Sequence, residues 1–167
     1  DALEDLAPYR YPDEDLVATV AASLERAGRT LAVAESCTGG LLAKRLTDRA
    51  GASNWFYGGV VAYTDHSKVE RLGVASALLS RVGAVSEEVA RSMAVGVARV
   101  FRADVGVGIT GIAGPSGGTS DKPVGTVWYA VAVGERTAAE TEVFVGDREV
   151  VRERSTQAAL HLLYRTM

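Results

Sequence analysis

The sequence is short of the residues on which several kinds of protein depend. A single cysteine, Cys37, cannot close an internal disulfide, so a stapled secreted framework is excluded and a reducing, cytoplasmic setting is expected. The two histidines, His66 and His161, lie far apart with no HExxH or Cys/His ligand spacing, which leaves a zinc site without donors. No stretch approaches the roughly 18 uncharged apolar residues of a membrane span. Clustered basic residues are missing as well. The net charge of −3 has the wrong sign for a broad nucleic-acid surface. The opening segment, DALEDLAPYRYPDEDL, is acidic where a secretory leader would be basic and then apolar. There is no internal repeat and no low-complexity tract.

Lysine is also scarce. Only Lys44, Lys68 and Lys122 stand against fifteen arginines. Arginine cannot give up its proton under working conditions, so any task that needs a neutral amine falls to one of three residues. What remains is ordinary: 167 residues, 47% apolar and 23% charged, enough for one soluble domain with a real core.

Residues 1–12, with Pro8 and Pro12, read as a linker or junction, and residues 13–167 as the domain. From Asp13, Leu16, Val17, Val20 and Leu24 mark a helical face that Gly28 ends. Thr30–Ala34 is a short buried strand, and a helix resumes at Leu41. Phe56–Thr64 is a second strand in which Gly58 and Gly59 suggest a bulge or a close approach. A helical piece covers Ser67–Leu72. Ser86, followed by two glutamates, opens a helix with its stripe at Val89, Met93, Val97 and Phe101. Asp104–Ile109 is a third strand. Val124–Val133 and Ala138–Val145 form an antiparallel pair, and Arg148–Arg165 closes the chain as a helix. This order predicts an α/β fold, a three-layer α/β/α sandwich with a mixed, mostly parallel sheet, as a single domain.

Three segments carry candidate chemistry. Ser36-Cys37-Thr38-Gly39-Gly40 lies between a strand and a helix, where outward N–H groups suit a phosphate or an oxyanion. Thr110–Gly118 (TGIAGPSGG) follows a strand in the same manner, its glycines allowing close backbone approach to a ligand. Neither is a GxSxG elbow or a GxxxxGK[ST] loop. Tyr63-Thr64-Asp65-His66-Ser67-Lys68 by itself reads as a turn and a solvated lysine. A dry cleft would instead lower the Lys68 pKa and make it a base toward a hydroxyl. Cys37, next to Ser36, is expected to point the opposite way into the core.

Together these segments resemble the C-terminal domain family of the competence/damage-inducible protein CinA, which includes nicotinamide-nucleotide amidohydrolases. The likeness rests on LAVAESCTGGLLAKRLTD (31–48), GASNWFYGGVVAYTDHSKVERLGV (51–74), GAVSEE (83–88), GITGIAGPSGG (108–118), KPVGTVWYAVA (122–132) and GDR (146–148), in family order. The resemblance implies hydrolysis of nicotinamide mononucleotide to nicotinate mononucleotide and ammonia, without metal or other cofactor. It places the nucleophile at Ser36 and its helpers at Tyr63 and Lys68. Substrate contacts fall on Thr38, Gly39, Gly40, Thr110, Gly111, Ala113, Gly114 and Arg148. It further implies a homo-oligomer and an N-terminal CinA domain preceding an excised C-terminal one. The competing reading is a non-catalytic nucleotide-binding or interaction module of a CinA protein, linked to competence or DNA damage. Metal-dependent phosphoesterase chemistry fits poorly, because Asp65, Asp104, Asp121 and Asp147 are scattered over separate segments.

Overall fold

Apolar stripes of helical period alternate along the chain with short β-branched runs, and the structure follows that alternation. In the computed structural model, which describes residues 13–167, helix α1 (Asp13–Ala27) leads to strand β1 (Leu31–Glu35), helix α2 (Leu41–Thr47) and strand β2 (Phe56–Val61). Helices α3 (Asp65–Leu72), α4 (Ser76–Val82) and α5 (Glu87–Phe101) come next. Strand β3 (Val105–Gly111), the hairpin of β4 (Thr126–Val133) and β5 (Arg136–Val143), and helix α6 (Arg148–Thr166) complete the domain. The linker expected at residues 1–12 lies outside the described residues.

The sheet order is β2-β1-β3-β4-β5. Strand β1 pairs in parallel with β2 and β3, whereas the β3–β4 and β4–β5 pairs are antiparallel. Only β4 therefore runs against the rest, and the carboxyl ends of β1, β2, β3 and β5 share one rim. The expected α/β/α sandwich with a mixed, mostly parallel sheet is what forms.

Each strand divides its side chains between two cores. Leu31 and Val33 of β1 and Val105, Val107 and Ile109 of β3 pack with Leu16, Val20 and Leu24 of α1 and Val151, Ala159 and Leu163 of α6. On the opposite face Ala32 and Ala34 meet Leu72 of α3 and Val89, Met93 and Val97 of α5. That second face is built from small residues. Gly106 and Gly108 of β3, with Ala130 and Ala132 of β4, let the backbone of α5 lie directly on the sheet, where a Cβ on Gly108 would come within 2.5 Å of the Ala90 carbonyl oxygen. Alternating Val and Gly in VGVGI thus makes one strand wide on one side and flat on the other.

The structure starts β4 at Thr126 and runs β5 over Arg136–Val143, two residues off the expected bounds, and departs further from the sequence expectation at two places. Strand β2 stops at Val61 instead of Thr64, because the Thr64 side chain accepts the Ser67 N–H at 3.1 Å and caps α3. Helix α4 was not foreseen. Its N-cap residue, Ala75, has no side chain able to accept a bond, so the sequence carries no start signal there. The bulge suggested by Gly58 and Gly59 is present: pairing steps from Leu31–Phe56 to Ala32–Gly58 and skips Tyr57.

Candidate active site

The order β2-β1-β3 means that the chain leaves β1 toward one side of the sheet and returns on the other. In open α/β sheets a crevice opens at the carboxyl ends where this switch occurs. Glu35 ends β1, and Ser36 follows it at the mouth of that crevice. Alternation sends Ser36 to the α3 face, while Cys37 returns to the core shared with α1 and α6. Lysine 68 lies on α3, whose capped start fixes its direction.

The two predicted partners meet. Lys68 Nζ lies 3.1 Å from Ser36 Oγ and 3.1 Å from the Ala62 carbonyl oxygen. Ser36 is 7% exposed and Lys68 only 2%. Burial disfavours the ammonium and lowers the Lys68 pKa below the ordinary lysine range, with the nearby Asp65 carboxylate pulling the other way. The amine donates to both oxygens here; once neutral, it would keep the bond to Ala62 and turn its lone pair to the Ser36 hydroxyl. A base at this position would lie within hydrogen-bonding reach of the Ser36 hydroxyl.

Cys37 is a poor competitor. Burial pushes its thiol up to about 12, although its own backbone N–H draws it down. A thiol that remains protonated in a core is inert.

The loop after Ser36 is organised differently from the expectation that the N–H groups from Thr38 to Gly40 face a ligand. The Gly39 N–H donates to the Ser36 carbonyl at 3.0 Å. The Gly40 N–H donates to Glu35 Oε2 at 3.0 Å, as do Leu42 N–H to Oε2 at 3.1 Å and Ala43 N–H to Oε1 at 2.8 Å. A carboxylate of the chain itself thus fills the start of α2, so that position is closed to an external phosphate. The N–H groups of Cys37 and Thr38 make no hydrogen bond to other described residues. Thr38 is buried, its hydroxyl is without a partner, and its carbonyl accepts from Arg152 Nη2 at 2.9 Å. Gly39 and Gly40 both adopt positive φ, which lets the chain turn from β1 into α2.

Tyr63 stands at the rim, 54% exposed, and not in the buried pair. Its hydroxyl accepts from Arg148 Nη2 at 2.6 Å, while Arg148 Nη1 donates to the Gly114 carbonyl at 2.8 Å. Arg148 is the first residue of α6, whose start is capped by the Asp147 side chain. One arginine therefore ties the end of β2, the glycine loop after β3 and the helix after β5 together across the crevice. Other residues expected at the site are anchored within the fold. The Thr110 hydroxyl donates to the Ala84 carbonyl at 2.9 Å, Gly111 pairs with Val127 in the sheet, and Ala113 is buried in the larger core. Two residues were missed. Glu35 was legible only as the residue before Ser36. Arg152 is four positions beyond Arg148, the spacing that puts two side chains on one helix face.

The family model described as the CinA C-terminal domain matches residues 13–167. A CinA-like protein of Mycolicibacterium paratuberculosis is 53% identical over 159 residues, which cover 92% of this chain and 36% of that protein. One from Mycobacterium tuberculosis is 55% identical over 141 residues, covering 84% of this chain and 33% of its own length. The chain thus spans about a third of the length of these curated relatives. Among solved structures, a competence-damaged protein (CinA) superfamily protein from Klebsiella pneumoniae superimposes with a TM-score of 0.90 at 34% identity, covering 93% of this chain and 98% of that one. A CinA superfamily protein from Escherichia coli gives a TM-score of 0.90 at 36% identity, with 93% and 91% coverage.

Proposed function

The chain belongs to the CinA C-terminal domain family, and from that premise we propose that it is a nicotinamide-nucleotide amidohydrolase, converting nicotinamide mononucleotide and water to nicotinate mononucleotide and ammonia. The observation that carries the proposal is the buried 3.1 Å contact between Lys68 Nζ and Ser36 Oγ. Amide hydrolysis needs a nucleophile, a group that moves protons and donors for an oxyanion. The neutral Lys68 amine takes the Ser36 proton as Oγ attacks the carboxamide carbon. The Cys37 and Thr38 N–H groups then hold the oxyanion. As the C–N bond breaks, the proton on Lys68 passes to the departing nitrogen, with the Tyr63 hydroxyl as relay, and ammonia leaves. Water, deprotonated by Lys68, attacks the Ser36 ester; as the C–Oγ bond breaks, Lys68 returns the proton to Ser36 Oγ and the acid product leaves, ionising to nicotinate mononucleotide.

The start of α2 is taken by Glu35, so the substrate phosphate is assigned to Arg148 and the 110–118 loop, and the oxyanion to the loop after Ser36. The test is ammonia release from nicotinamide mononucleotide by the purified chain. Release is expected in excess chelator and is expected to fall by at least roughly a thousandfold in Ser36→Ala. Binding of the nucleotide without any ammonia would favour the non-catalytic module.

A further inference from the structure

Glu35 takes no part in the chemistry above, yet it is the one buried carboxylate among the described residues, at 1% exposure. It has no cationic partner there; its two oxygens accept three backbone N–H bonds instead. Burying such a group is costly unless it is fully hydrogen-bonded, and a serine or aspartate N-cap would satisfy a seven-residue helix more simply. What Glu35 adds is a closure. Its backbone ends β1, and its side chain returns to residues 40, 42 and 43. Ser36 to Gly39 are therefore held in a ring between a strand and a helix. The ring is pinned at the Ser36 N–H, which donates to the Ile109 carbonyl at 3.0 Å, and at the Thr38 carbonyl, which Arg152 grips at 2.9 Å. Inside the ring, the Cys37 and Thr38 N–H groups are the two that donate to no other described residue.

We propose that Glu35 is a positioning residue of the hydrolase: by engaging Gly40, Leu42 and Ala43 it keeps the Cys37 and Thr38 N–H groups fixed as oxyanion donors beside Ser36. The proposal rests on the serine-hydrolase reading for its reaction. A plain helix cap would contribute stability alone, whereas a positioning residue contributes to kcat. Glu35→Gln separates the two, because the amide keeps a single acceptor oxygen and turns an NH2 toward one of the three N–H groups.

The experiment compares wild type and Glu35→Gln in steady-state hydrolysis of nicotinamide mononucleotide, and in the rate of Ser36 labelling by a fluorophosphonate, whose phosphoryl oxygen takes the oxyanion position as serine displaces fluoride. The expected result is a kcat roughly 100-fold lower with KM within about threefold, and labelling slowed by a similar factor, at a temperature where both proteins are folded. A variant that loses thermal stability but keeps wild-type kcat and labelling rate overturns the proposal. If Glu35→Gln does not fold, Glu35→Asp, which withdraws the carboxylate by one methylene, is judged by the same two outcomes. Wild-type protein that is labelled at Ser36 but releases no ammonia removes the amidohydrolase reading, and the labelling rates still decide the role of Glu35. No labelling of wild-type Ser36 and no ammonia overturns both.

Discussion

Lysine 68 is the base of the proposed reaction, and its burial has a cost that can be measured. The unfolded chain binds a proton on this amine up to the ordinary lysine range of about 10.4, whereas the folded protein releases it at lower pH. Between those two values the unfolded state holds more protons, so stability rises with pH and falls as pH drops through the folded value. Lys68→Met is accordingly expected to be inactive but more stable than wild type near neutral pH. That advantage should shrink as pH climbs toward the ordinary lysine range, and urea titrations at several pH values would show it. Activity has the matching sign: kcat/KM should rise with pH as the amine loses its proton. Lys68→Arg should be inactive, because guanidinium keeps its proton. Cys37, pushed up to about 12, should stay unmodified by thiol reagents until the protein unfolds. Cys37→Ala should keep its kcat and lose only about 1 kcal/mol of stability from the trimmed core. An inactive but folded Cys37→Ala would transfer the nucleophile's role away from Ser36.

Elements differ in how openly the sequence displays them. Helix α5 was legible because Ser86 caps it, accepting from the Val89 N–H, two glutamates follow, and Val89, Met93 and Val97 form a buried stripe. Ser86→Ala should cost about 1 kcal/mol in thermal unfolding while leaving turnover per folded molecule unchanged. Helix α4 stayed hidden because seven residues without a capping side chain give neither period nor start signal. The end of β2 was placed too late because Thr64 is a good strand residue by propensity, and only its bond to the Ser67 N–H makes it a cap. Strand β3 has a consequence that periodicity cannot display, since its glycines are set by the nearness of α5 and not by a turn. Gly108→Val should push α5 off the sheet and cost on the order of 1–3 kcal/mol or more, seen as a drop in melting temperature, although the residue is remote from the dyad in sequence.

Across the whole molecule the site follows from topology. Ser36 and Lys68 are 32 positions apart and belong to different elements, and what joins them is the placement of β2 beside β1. From the residues alone Lys68 read as a solvated lysine; family likeness singled it out, and the fold puts it at 2% exposure. The clamp made by Arg148 was foreseen as a substrate contact. Its bonds to Tyr63 and Gly114 depend on β5 running in the same direction as β1 and β3, which no local pattern encodes. Glu35 escaped notice for a related reason, because a glutamate at a strand end looks exposed until the following helix folds back over it. The domain accounts for about a third of its mycobacterial relatives and for nearly all of the Klebsiella structure. All parts of the proposed site, from Ser36 to Arg152, lie within this one chain. The chain by itself is therefore expected to release ammonia from nicotinamide mononucleotide without a neighbouring domain, an assay that needs only the purified protein.

The scarcity of lysine makes the central claim open to direct observation. In protein labelled with ¹³C at lysine Cε, only three signals appear, and the one belonging to Lys68 is identified by its loss in Lys68→Arg. Following that signal against pH in the folded enzyme should give a midpoint below the ordinary lysine range. A midpoint at or above that range would mean that the amine is charged when the enzyme works, and that it cannot be the base which activates Ser36.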